Sequence, residues 1–110
     1  MITDRLELGG QVAVVTGGSR GIGHAISVGL AEAGADVVPT SRTRVDVESA
    51  VADVEATGSD SLVVTTDVAD EASVESLFDE VEDAFGRLDI IVNTAGINPA
   101  EALGKPKDVS

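Results

Sequence analysis

Thr16-Gly17-Gly18-Ser19-Arg20-Gly21-Ile22-Gly23 (TGGSRGIG) follows directly on the apolar run Val12–Thr16 (VAVVT) and opens a segment with Ile22, Ile26, Leu30 and Ala33 at helical spacing. A glycine-rich turn between a buried strand and a helix is what a dinucleotide pyrophosphate needs. Gly17 permits a tight turn, Gly21 lets the backbone approach the phosphates, and Gly23 lets helix and strand pack closely. The helix N-terminus adds unpaired N–H groups and a partial positive charge that favour an anion.

Three more apolar runs follow at nearly even spacing: Val37–Thr40 (VVPT), Leu62–Thr65 (LVVT) and Asp89–Asn93 (DIIVN). They are rich in Val and Ile and continuous rather than alternating, the pattern of strands buried on both faces of a parallel sheet. Between them, Val47, Val51 and Val54 mark a second helix, and Val74, Leu77, Phe78, Val81 and Phe85 a third. Asp70 is placed to cap the third helix and Gly86 to end it, as Gly34 and Gly58 end the first two. Strand, helix and strand repeated in this way predict an α/β fold, a doubly wound parallel sheet of four strands in the order 3-2-1-4. Pro39 is at odds with an internal strand, because it cannot donate a ladder hydrogen bond. Either the strand ends early there or the missing N–H faces no partner, and local weakening is expected. The stretch from Ile97 to Ser110, with two prolines, reads as loop, and no linker or second domain is visible within the 110 residues.

Composition narrows the function classes. There is no Cys, Trp or Tyr, which excludes a disulfide framework, a thiolate metal site and a Cys nucleophile, and no metal-ligand spacing appears. The balance of 20 Asp+Glu against 7 Lys+Arg gives a net charge of −13, which argues against a nucleic-acid partner. No apolar run approaches membrane-spanning length and the start lacks a signal-peptide core, so a cytoplasmic location is expected. Both lysines, Lys105 and Lys107, fall near the end, and the body relies on arginine. Carboxylates in such excess suit a host with high internal salt, where their mutual repulsion is screened. The only imidazole, His24, reads as an exposed helical histidine, and the carboxylates Glu80, Glu82 and Asp83 as a solvated helix face.

Three motifs in order carry a family resemblance: TGGSRGIG at 16–23, Asp67-Val68 after the third apolar run, and Asn93-Thr94-Ala95-Gly96 after the fourth. Together they resemble the short-chain dehydrogenase/reductase family across essentially the whole chain. Family members usually carry a second Asn where this chain has Thr94. The resemblance implies a Rossmann-like fold that binds a nicotinamide dinucleotide at Gly17, Ser19, Arg20, Gly21, Ile22 and Gly23. It implies that Asp67 accepts from the adenine amino group beside the backbone of Val68, the lesser alternative being an Asp that starts a helix. Asn93, Ala95 and Gly96 would line the cofactor's ribose and steady the fourth strand.

The choice of cofactor is read at the end of the second strand, where a carboxylate would bind ribose hydroxyls and repel a 2′-phosphate. Here the residues are Thr40-Ser41-Arg42, with no carboxylate until Asp46. Arg42, with Ser41 beside it and Arg20 in the glycine turn, favours NADP over NAD, and Arg44 is a less well placed third cation.

The family's proton donor is a Tyr in a Tyr-x-x-x-Lys pair, assisted by a Ser and an Asn, and this chain has no Tyr at all. Residues 1–110 are therefore expected to be the N-terminal, cofactor-binding part of a larger dehydrogenase that interconverts an alcohol and a carbonyl compound, inert alone. The fourth strand would be an apolar edge beside a half-covered sheet face, calling for a partner that supplies more strands. Full-length relatives would be homo-oligomers. The competing readings are a stand-alone nucleotide-binding or interaction module without catalysis and a Rossmann-type methyltransferase. The second lacks a carboxylate after the second strand and leaves Asn93–Gly96 unexplained.

Overall fold

The computed structural model describes residues 7–94. In chain order the elements are β1 (Val12–Thr16), α1 (Gly21–Glu32), β2 (Asp36–Thr40), α2 (Arg44–Glu55), α3 (Glu71–Phe85) and β3 (Ile90–Asn93). The sheet has three strands in the order β2-β1-β3, both pairs parallel. It is Rossmann-like, with β1 in the centre.

Every residue of β1 is buried, because helices cover both sides of it. On one face Ala13, Val15 and Val37 meet Ala31, Ala35 and Val54, with Ile26, Leu30, Ile90 and Val92 packed alongside. On the other, Val12, Val14 and Val38 meet Leu77 and Val81 of α3, flanked by Phe78 and Phe85. The two crossovers that return beside β1 therefore set α1 and α2 on one face and α3 on the other, as right-handed connections require. Leu77 is wholly buried, and full burial of such a side chain is worth about 2–3 kcal/mol.

Helix ends follow local chemistry. The Asp70 carboxylate accepts from the N–H of Ala72, and Gly86 takes the left-handed conformation at φ 79° that closes α3. Arg87 and Asp89 then hold the approach to β3. The guanidinium forks onto Asp89, Nε to Oδ2 and Nη2 to Oδ1, each at 2.8 Å. Oδ2 also accepts from the Val12 N–H at 2.8 Å, while the Asp89 N–H donates to the Val12 carbonyl at 2.9 Å. The fork and the Val12 amide hold the Asp89 carboxyl below its ordinary range, and the same fork raises Arg87.

The expected strand over Leu62–Thr65 does not form: the sheet has three strands, not four, and the segment runs beside β2 without a continuous ladder. Pro39 withholds one of the bonds such a strand would need. Asp36 donates to Gln11 on the β1 side, whereas Val37 donates to Asp60 on the outer side at 3.2 Å. Pro39, two residues after Val37, thus faces outward with no N–H to give. β2 itself runs unbroken through Pro39 to Thr40.

Among the described residues β3 is an edge. Its Ile91 is 55% exposed on the α3 face, which α3 covers only as far as β1 and β2. Among the described residues no helix is long and apolar enough to cross a membrane.

Candidate functional site: a cleft at the carboxyl ends of the strands

The glycine turn leaves β1 and doubles back at once. Gly17 lies at φ 73° and Gly21 at φ 55°, values that L side chains rarely adopt. The N–H groups of Gly17 and Gly18 both donate to the Thr40 carbonyl, at 2.8 and 3.2 Å, tying the turn to the end of β2. A Cβ on Gly23 would stand 1.9 Å from the Gly17 carbonyl oxygen and 2.6 Å from the Thr94 hydroxyl, so only glycine allows α1 this close to β1. A Cβ on Gly21 would meet nothing within 4 Å: the backbone there borders open space.

The turn is also fastened through side chains. Ser19 Oγ donates to Ser41 Oγ at 2.9 Å, and Ser41 Oγ accepts from the Thr43 N–H at 3.4 Å. Each serine is followed by an arginine, Arg20 at the N-cap of α1 and Arg42 beyond β2, and both arginines are exposed. Neither pairs with a described carboxylate, although Arg44 is bonded to Glu48 at 3.0 Å and Arg87 to Asp89. Arg44 is thereby engaged on the α2 surface.

Gly17, Ser41, Arg42, Thr66, Asp67, Val68 and Ala69 line an open cleft of about 260 Å³. A neighbouring hollow shares Arg42, Thr66 and Asp67 and adds Thr65 and Ser73. Asp67 does not cap α3, since Asp70 does. Its Oδ1 accepts from the Ala69 N–H at 3.0 Å and its own N–H donates to Ser73 Oγ at 3.0 Å, which stands the exposed carboxylate on the cleft wall. Val68 and Ile22 are 45% and 43% exposed, two apolar side chains open to solvent at the cleft wall and the mouth of the glycine turn.

Asn93 stands on the other side of β1, where its Oδ1 accepts from the Thr16 hydroxyl at 2.7 Å. Thr94, the departure from the family pattern, is buried, and both its N–H and its hydroxyl donate to the Thr16 carbonyl, at 2.9 and 2.7 Å. Both residues lock β3 to β1. Ala95 and Gly96 lie outside the described residues. Sequence reasoning missed Thr66 and Ala69 in the cleft lining and Thr40 beneath it; the hydroxyl-rich pair Thr65-Thr66 before Asp67 was the available signal. His24 is on the first turn of α1, half exposed, and bonds Asp53 of α2 at 2.9 Å rather than standing free.

The sheet order, the glycine turn on the central strand and the cleft at the strands' carboxyl ends define a Rossmann-like α/β protein. The family model of short chain dehydrogenase matches residues 11–109. Versicolorin reductase of Emericella nidulans is 40% identical over 98% of this chain and 40% of its own length. L-rhamnose 1-dehydrogenase (NAD(P)(+)) of a Sphingomonas species is 38% identical over 93% of this chain and 41% of its own. The crystal structure of a hydroxysteroid dehydrogenase from Escherichia coli superposes with a TM-score of 0.77 at 31% identity, over 83% of this chain and 39% of that one. The chain belongs to the short-chain dehydrogenase family. It spans about two fifths of the length of these relatives.

Proposed function

We propose that residues 1–110 form the cofactor-binding part of an NADP-preferring oxidoreductase that interconverts an alcohol and a carbonyl compound. The observation that carries this reading is the paired rim of Ser19 and Ser41, each followed by an arginine free of described carboxylates in a chain of net charge −13. In so acidic a protein, a surface arginine left without a carboxylate partner is most simply explained by an anionic ligand.

The residues fit such a ligand. Open space beside the Gly21 backbone admits a pyrophosphate, and the amino end of α1 favours its charge. Arg42 lines the cleft where a 2′-phosphate would stand, with Arg20 following in the glycine turn. Asp67 Oδ2, which accepts from no described residue, is available to an adenine amino group, and Val68 offers the base an apolar surface. Asn93 steadies the strand end beneath the ribose, with Ala95 and Gly96 following. The bound dinucleotide supplies the hydride. The chain's own part is to hold and orient it, since the family's phenolic proton donor has no counterpart among these residues.

Two companion proposals follow. The half-covered face beside Ile91 calls for further strands, from a partner or from more of the same protein. The carboxylates exposed along α3, from Glu71 to Asp83, belong to a cytoplasmic protein adapted to salt. The ligand reading is tested by titrating isotope-labelled protein with NADP⁺. Amide resonances of Gly17, Ser41, Arg42, Asp67 and Val68 should shift, and shifts confined to other regions would contradict it.

A further inference from the structure

Segment 60–66 carries the wall of the cleft, yet it is fastened to β2 by main-chain bonds only at its ends. Val37 donates to the Asp60 carbonyl at 3.2 Å, and Thr66 donates to the Ser41 carbonyl at 2.8 Å. In a parallel pair the outward donors of β2 recur every second residue, so the donor between them belongs to position 39 and would reach Leu62. That residue is Pro39, which has no N–H. Two end bonds with none between leave the middle of the segment without main-chain restraint.

A side chain stands at the gap. The Thr40 hydroxyl donates to the Val64 carbonyl at 2.5 Å and lies 2.9 Å from the Thr66 hydroxyl. A threonine has one hydroxyl proton, and the carbonyl can only accept, so in the second contact Thr66 is the donor. Both threonines are buried, at 0% and 3% exposure. Thr66 is followed at once by Asp67 and Val68 of the cleft wall.

We propose that Thr40 is a positioning residue for the base-binding wall: its buried hydroxyl, shared between the Val64 carbonyl and the Thr66 hydroxyl, fastens the segment to β2 where the ladder is missing and fixes where the Asp67 carboxylate stands. The proposal rests on the dinucleotide reading. It assigns base discrimination, rather than general affinity, to a residue that touches no ligand. A hydrogen bond weakens steeply once its distance or angle slips, so a wall displaced by part of an ångström loses the base contact while the phosphates stay held.

The test compares dissociation constants for NADP⁺ and its 6-deamino analogue, in which a carbonyl oxygen replaces the amino group facing Asp67. The unaltered protein should favour NADP⁺ by about tenfold, the worth of one well-placed hydrogen bond. In Thr40→Val the affinity for NADP⁺ should fall until the two ligands bind alike, with the analogue's own affinity unchanged; Thr40→Ser should restore the preference. Thr66→Val, which keeps the Thr40–Val64 bond, should lose part of it and serves if Thr40→Val does not fold. An unchanged preference in either valine variant overturns the proposal, as does an equal loss for both ligands. If the unaltered protein binds neither ligand, the dinucleotide reading itself fails; if it binds both alike, this proposal alone does.

Discussion

Ser19 and Ser41 share a hydrogen bond of 2.9 Å that ties the glycine turn to the residue just beyond β2. In an NAD-selective site this second position carries a carboxylate for the ribose hydroxyls. Ser41→Asp should therefore set a negative charge beside the place of a 2′-phosphate. NADP⁺ binding should weaken roughly 10- to 100-fold, the worth of a charge-assisted contact, and NAD⁺ binding should hold or improve. Calorimetric titration of both cofactors checks this.

Two glycines on α1 should respond in opposite directions. Gly23→Ala forces a Cβ to within 1.9 Å of the Gly17 carbonyl, and backbone cannot retreat cheaply. A loss of about 2–4 kcal/mol is expected, with cofactor binding abolished. Gly29→Ala meets nothing within 4 Å and should stabilise the helix by about 0.5–1 kcal/mol. Denaturant unfolding of both variants gives the signs.

Asp89 links stability to acid. Its carboxyl is held below the ordinary value, first by the Arg87 fork and then by the Val12 N–H. A carboxyl lowered in the folded state stabilises it fully above the unfolded pKa of about 4, and that contribution is lost as pH falls through the lower folded value. Arg87 stays charged throughout and adds no slope there. Asp89→Asn should therefore lower the unfolding midpoint at neutral pH and flatten its fall as pH drops below about 4. Equal acid sensitivity in the two proteins would contradict this.

Salt should raise stability. The carboxylates of α3 (Glu71, Glu75, Asp79, Glu80, Glu82 and Asp83) are exposed with no cation bonded to them among the described residues, so screening relieves repulsion within a single helix. The melting temperature should climb as KCl rises from about 0.1 M, where screening extends about 10 Å, to about 1 M, where it shortens to about 3 Å. Equal stability in dilute buffer would contradict a salt-adapted surface.

What the chain discloses by itself is what its chemistry decides locally. Gly17, Gly21 and Gly23 each answer to a need within a few residues, a left-handed turn or a close approach, and Asp70 and Gly86 likewise mark the ends of α3. The run Leu62–Thr65 reads as a strand because its composition is that of one. Whether it pairs depends on the outward edge of β2, where Pro39, more than twenty positions upstream, withholds a donor. The alternatives for Pro39 could be stated from sequence, but choosing between them needs the register of Val37 on Asp60. The same register brings Thr40 beneath Thr66. The His24–Asp53 bond depends on how α1 lies against α2, which no local pattern encodes. For the cleft, the sequence names Ser41, Arg42, Asp67 and Val68; the fold adds that the serine beside Arg20 is bonded to the serine beside Arg42.

The most direct test of the account is the ratio of dissociation constants for NAD⁺ and NADP⁺, measured by titration calorimetry at two ionic strengths. If Arg42 holds a 2′-phosphate, NADP⁺ should bind at least about tenfold more tightly, the gap should narrow as salt is added, and Arg42→Ala should remove most of it. NAD⁺ binding as tightly as NADP⁺, or a preference untouched by Arg42→Ala, would contradict it.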